Sequence, residues 1–178
     1  MATVFSVTVK DEAVLAALER LRANMSAPSM RIFFSGLGGE LKKKIRSNFE
    51  NMQSPDGVAW KDLSLATKIQ RLPKSKNFKR GKSKTVANLS KSGRAALGGR
   101  MEILRDKGHL YDSIQIQSVT PSSVTVGTNR GYAAIHQFGG MAGRGRKVRI
   151  PARPFIGIDE RGSAQIVDTL RQYVLQDV

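Results

Sequence analysis

The chain has 178 residues, 40% of them hydrophobic and none of them cysteine. That length supports one ordinary core and excludes a disulfide framework, a thiolate zinc site and a cysteine nucleophile. Thirty lysines and arginines stand against 14 acids, a net charge of +16, which calls for a polyanion or acidic neighbours as partners. No window reaches the length of a membrane span, and the apolar residues 1–9 lack a basic leader region, so the expectation is a soluble chain made in the cytoplasm, without a membrane partner.

Along the chain, Phe5, Val7 and Val9 alternate with Ser6 and Thr8, which predicts a half-buried strand over residues 3–9. From Asp11 the period turns helical, with Val14, Leu15, Leu18, Leu21 and Met25 on one side. Pro28 reopens the chain, and Leu41, Ile45, Phe49 and Met52 carry a second helix whose start is expected to break or kink at Gly36, Gly38 and Gly39. Ser54-Pro55-Asp56-Gly57 is a turn, because proline sets φ, aspartate bonds its own backbone and glycine supplies positive φ. Residues 71–107 hold twelve basic residues and only two acids, with few large apolar side chains. The expectation is an extended basic arm or insertion that builds little core.

Leu110 opens a short helical turn. Ile114 and Ile116 then alternate with Gln115 and Gln117, Thr120-Pro121-Ser122-Ser123 turns the chain, and Val124 and Val126 alternate again, which predicts a hairpin. Residues 132–138 read as a short helix ending at Gly139-Gly140, residues 143–147 as a basic loop, and residues 148–150 as a short strand. A terminal amphipathic helix carries Ile166, Val167, Leu170, Tyr173 and Val174.

The catalytic and cofactor motifs fail on their own logic. Gly81-Lys82-Ser83 would end a phosphate-binding loop only with glycine at position 76, which is Lys76, and Gly36-Leu37-Gly38 meets Leu41 where a dinucleotide fingerprint needs its third glycine. With two histidines, His109 and His136, and scattered acids, no metal or cofactor is expected. Asp112, Ser113 and His136 lack the context of a nucleophile elbow. Trp60 reads as a core or interface anchor, and the basic segment has only Phe78 as an aromatic, which argues against base stacking and leaves phosphate contact open.

Four blocks remain, in a fixed order. They are Ser54-Pro55-Asp56-Gly57-Val58-Ala59-Trp60, Leu104 through Gly108-His109-Leu110-Tyr111-Asp112-Ser113-Ile114, Tyr132-Ala133-Ala134-Ile135-His136-Gln137-Phe138-Gly139-Gly140, and Ile150-Pro151-Ala152-Arg153-Pro154-Phe155-Ile156-Gly157-Ile158. From about Gly39 to the C-terminus this pattern resembles the phage virion morphogenesis family, the tail completion and head–tail joining proteins of Mu-like and P2-like contractile-tailed phages. The resemblance implies a non-enzymatic virion component of the neck, where a tail meets a DNA-filled head. It also implies a homo-oligomeric ring, commonly a hexamer, whose partners are adjacent neck, head-closure and tail-terminator proteins, with packaged DNA as a non-specific contact.

The expected fold is α+β: one domain over residues 1–178, with a small, mainly antiparallel sheet from residues 3–9, the 113–127 hairpin and the 148–150 strand, packed by the N-terminal helices and the C-terminal one. The expected ring or joining interface comprises Trp60, Tyr132, Ile135, His136, Gln137, Phe138, Arg153, Pro154 and Phe155. Two prolines would present Phe155 rigidly as an intersubunit plug, with a core contact inside the chain as the open alternative. A polyanion or a neighbouring ring would meet Lys74, Lys76, Lys79, Arg80, Lys82 and Lys84, together with Arg144, Arg146 and Lys147. A non-specific nucleic-acid-binding protein is the alternative reading.

Overall fold

A computed structural model describes residues 12–175; the expected strand over residues 3–9 lies outside them. The chain divides into two compact units. The first comprises Met1–Lys43, Ile116–Gly127 and Ile158–Val178, and the second Lys44–Gln115 and Thr128–Gly157.

In the first unit, α1 (Glu12–Asn24) and the start of α2 (Ala27–Asn51) take the helical period read above, with Glu12 in the first turn of α1, where negative charge suits the helix end. Pro28 sits at the start of α2, where its missing N–H costs nothing. The expected break at Gly36–Gly39 is absent and α2 runs through all three glycines. The physical reason for one of them is packing. A Cβ on Gly38 would lie 2.8 Å from Val124 Cγ2 and 3.0 Å from Ile116 Cδ1, so the hairpin of β1 (Gln115–Val119) and β2 (Val124–Gly127) approaches the helix where a side chain is missing. Helix α8 (Glu160–Val174) is capped by Asp159, which accepts from the Gly162 N–H, and its Tyr173 packs on Phe33 while donating its hydroxyl to the Ser29 carbonyl at 2.8 Å.

The core of the second unit is aromatic. Phe49, near the end of α2, is fully buried, with Trp60, Tyr111 and Phe155 around it at ring distances of 5.7, 5.8 and 5.0 Å. Buried Asn48 donates to the Phe155 carbonyl at 3.1 Å, which ties the helix to the Pro154 segment. Tyr111 belongs to the short helix α6 (His109–Asp112), lies between the guanidinium groups of Arg46 and Arg105, and donates to Glu50.

The long basic segment is there, and its conformation differs from the extended, core-poor chain expected. Helices α3 (Leu65–Arg71), α4 (Lys74–Asn77) and α5 (Lys91–Gly98) surround a small core of Ile69, Leu72, Phe78 and Leu89, with Leu97 and Met101 packed against it. An antiparallel bridge pairs Phe78 with Leu89. Ser64 and Ser90 cap α3 and α5. Six apolar side chains spread over 33 positions look too dilute for a core in sequence, but the bridge brings them together.

Helix α7 (Ala133–Phe138) leads into β3 (Gly140–Ala142), which pairs antiparallel with β4 (Val148–Ile150). The hairpin β1–β2 and the pair β3–β4 are separate two-stranded sheets among the described residues, where a single sheet was expected. The fold class is α+β, as read from the sequence.

Candidate assembly site

The four sequence blocks converge in the second unit up to Gly157, and the structure sorts their side chains by direction. Trp60, 7% exposed, donates its indole N–H to the Pro154 carbonyl at 2.8 Å. Phe155 is 1% exposed, so of the two readings open for it the core contact is the one observed, and it presents no plug. Arg153 is also buried, its Nε and Nη2 donating to the carbonyls of Lys61 and Asp62 at 2.9 and 3.0 Å. Gln137 clamps the same segment. Its Oε1 accepts from the backbone N–H groups of Phe155 and Ile156, and its Nε2 donates to the Ile156 carbonyl at 2.7 Å. The Arg153 N–H donates to the His136 carbonyl at 2.7 Å, which closes the clamp.

Outward-facing side chains sit on this brace. Phe138 is 79% exposed and Tyr132 about half exposed, with Met141 and Val148 exposed on β3 and β4, while Ile135 and Pro154 are half-buried. Beside Phe138 lies an open groove of about 640 Å³, lined by Lys61, Met141, Arg149, Ile150, Pro151 and Ala152 among others. Gly139 allows this turn: its φ is +73°, and a Cβ there would stand 2.8 Å from the Ala152 nitrogen. Strand β3 and the exposed Met141 were missed in sequence because Gly139-Gly140 reads as a helix stop and a loop. Their one available signal was the apolar Met141 opposite the 148–150 strand.

His136 is half-buried against Tyr132, and its Nδ1 has no hydrogen-bond partner among the described residues. Burial lowers its pKa, and the Arg153 charge adds to that. Around the lowered and the ordinary values the folded chain therefore holds fewer protons than the unfolded one, so His136 contributes stability that is present above the ordinary value near 6.5 and lost as pH falls from there through the lowered value of the folded state. Asp56 and Asp62, held below the usual carboxylate range by hydrogen bonds from Ser54 and Lys68, act only at more acidic pH. Denaturant titrations are expected to give a lower midpoint at pH 5 than at pH 7, and His136→Phe to remove part of that difference. An unchanged pH dependence in the variant would refute the assignment.

The basic residues form two groups. Arg144, Arg146 and Lys147 lie exposed in the loop between β3 and β4. Lys74, Lys76, Lys79, Arg80 and Lys82 are exposed on the helical module, and half-buried Lys84 donates to the Gln70 carbonyl.

Comparison with known proteins bears on this arrangement. The family model for the phage virion morphogenesis family matches residues 9–97 and 83–175, nearly the whole chain. The chain belongs to that family. The two matched stretches overlap inside the basic segment, and Trp60, the Tyr132–Phe138 block and the Arg153–Phe155 block all lie within them. A Mu-like prophage FluMu G protein 2 of Haemophilus influenzae is 33% identical over 162 residues, 90% of this chain and 88% of that protein. A putative capsid assembly protein G of Escherichia phage Mu is 42% identical over 50 residues, 28% of this chain and 32% of that one. No solved structure matches. Membership of the virion morphogenesis family makes this a phage protein of particle assembly, and the braced Phe138 surface is its candidate assembly site.

Proposed function

We propose that the chain is a structural component of the phage neck that completes the tail, or joins it to the DNA-filled head, by forming an oligomeric ring, commonly of six copies. The work done is recognition by surface complementarity, without catalysis, and the partners are further copies and the adjacent neck, head-closure and tail-terminator proteins. The observation that carries the reading is Phe138, a large aromatic side chain 79% exposed at the end of a helix that Gln137 and Arg153 hold in place. A rigid aromatic anchor beside an apolar groove is what a protein interface uses for most of its binding energy. The first unit supports self-association. Among its described residues only Phe33 is a buried large apolar side chain, whereas Leu15 and Leu18 on α1 and Met25 just after it are exposed, as are Ile32 on α2 and Val167 on α8.

Phage carrying Phe138→Ser with Met141→Ser are expected to yield full heads and separate tails. The purified variant should keep its unfolding midpoint, because exposed substitutions usually change stability by less than about 0.5 kcal/mol. Joined virions at normal yield, seen by electron microscopy, would exclude this surface from the joint. Joined virions from phage lacking the whole gene would exclude the neck role itself.

A further inference from the structure

The charge of this protein is divided between its two units. The first unit holds eight basic and eight acidic residues and is neutral, while the second holds 22 basic and six acidic residues, the entire net charge of +16. Within the second unit the charge concentrates again. Residues 74–100 contain nine lysines and arginines and no acid. The nearest acids downstream are occupied, Asp106 by Arg71 at 3.6 Å and Glu102 by Arg105 at 3.2 Å, and none of the nine has a carboxylate partner among the described residues. Charge carried for solubility is interleaved with acids, as it is in the first unit. An acid-free run on a folded surface costs self-repulsion that a bound anion would offset.

We infer that the helical module around α4 and α5 is a binding site for the sugar–phosphate backbone of duplex nucleic acid. Three observations select that ligand. The module is folded: the Phe78–Leu89 bridge closes a loop over residues 79–88, with the Lys79 N–H donating to the Asn88 carbonyl at 2.8 Å, so Lys79, Arg80 and Lys82 are held on a fixed frame. Phe78, the segment's one aromatic, is 5% exposed in the module's core, which leaves no stacking platform for unpaired bases and disfavours a single strand. Val86 is the one exposed large apolar side chain between residues 74 and 100, so the module lacks the anchors by which an acidic protein partner would be held. What it offers instead, lysine, arginine, serine and threonine on a compact support, is the donor set that contacts phosphates without reading sequence.

This inference names one partner for the second unit and stands apart from the neck role: duplex binding is read on the purified chain and joining on virions, so either can fail alone. The test is fluorescence anisotropy of a labelled random-sequence duplex titrated with the full chain. With about five phosphates neutralised, affinity is expected to fall roughly 500-fold between ~50 and ~200 mM salt. Replacing Lys74, Lys76, Lys79, Arg80 and Lys82 together by glutamine is expected to remove most of that salt dependence and of the low-salt affinity. The matching block in which the four lysines become arginine should bind as the parent does, which separates lost charge from lost fold. Three results would overturn the inference: no duplex binding by the parent at low salt, a glutamine block that keeps the parental salt slope, or displacement of the duplex by polyglutamate as readily as by unlabelled duplex.

Discussion

Replacing Phe49 by alanine is expected to destabilise the second unit by about 3–5 kcal/mol, the usual cost of emptying a buried aromatic site. Phe49 is fully buried and its ring is the shared neighbour of Trp60, Tyr111 and Phe155, so its removal opens a cavity bounded by three large side chains from three different segments. Rings of this size relax poorly into such a gap, which places the expected value in the upper part of the range. For a chain of this length the midpoint of thermal unfolding should drop by on the order of 10 °C. Trp60 is the single tryptophan, so its fluorescence reports this unit selectively. A midpoint within about 2 °C of the parent would mean that the aromatic cluster is not what holds the unit together.

Gly93→Ala is expected to open the basic module. In most helices this change gains about 1 kcal/mol through backbone propensity. Here the new Cβ would stand 2.0 Å from the Asn77 carbonyl oxygen and 3.0 Å from Leu89 Cδ2. The first of these is backbone and cannot rotate away, so α5 must move off α4. That movement strains the Ser90 N–H bond to the Asn77 carbonyl and the Phe78–Leu89 bridge, and it uncovers Leu89, which is 1% exposed. Overpacking of this kind costs about 1–3 kcal/mol or more, enough to outweigh the propensity gain. The expected result is faster proteolysis and faster hydrogen exchange confined to residues 74–100, with Trp60 fluorescence unaltered. Unchanged or increased protection of the module would show that α5 accommodates the new Cβ without moving off α4.

The elements set by short-range pattern were legible in the chain itself. The two N-terminal helices, the β1–β2 hairpin, α7 and α8 each follow a period or turn sequence within a dozen or so residues, and physical forces at that range act the same way in a fragment as in the fold. The family was legible for a related reason, since each of the four blocks that carry the resemblance is a run of neighbouring residues. Side-chain direction was not. Trp60, Phe138 and Phe155 are all aromatics in glycine- and proline-rich blocks, yet two are buried and one is 79% exposed. The difference is made by Gln137 and Arg153, whose hydrogen bonds reach segments 18 to 92 residues away.

By itself, then, the sequence determined the helices and the hairpin, the excess of positive charge and the family, because each of these is written in neighbouring residues or in composition. Only the tertiary structure decided which face is free for assembly, that α2 runs unbroken through Gly38, and that the basic segment folds on a core of its own. It also decided that one unit is neutral and the other carries all the charge, since the neutral unit is gathered from three separate stretches of chain. Each of these depends on contacts between distant residues, whose free energy exists only once the chain has closed the loops between them.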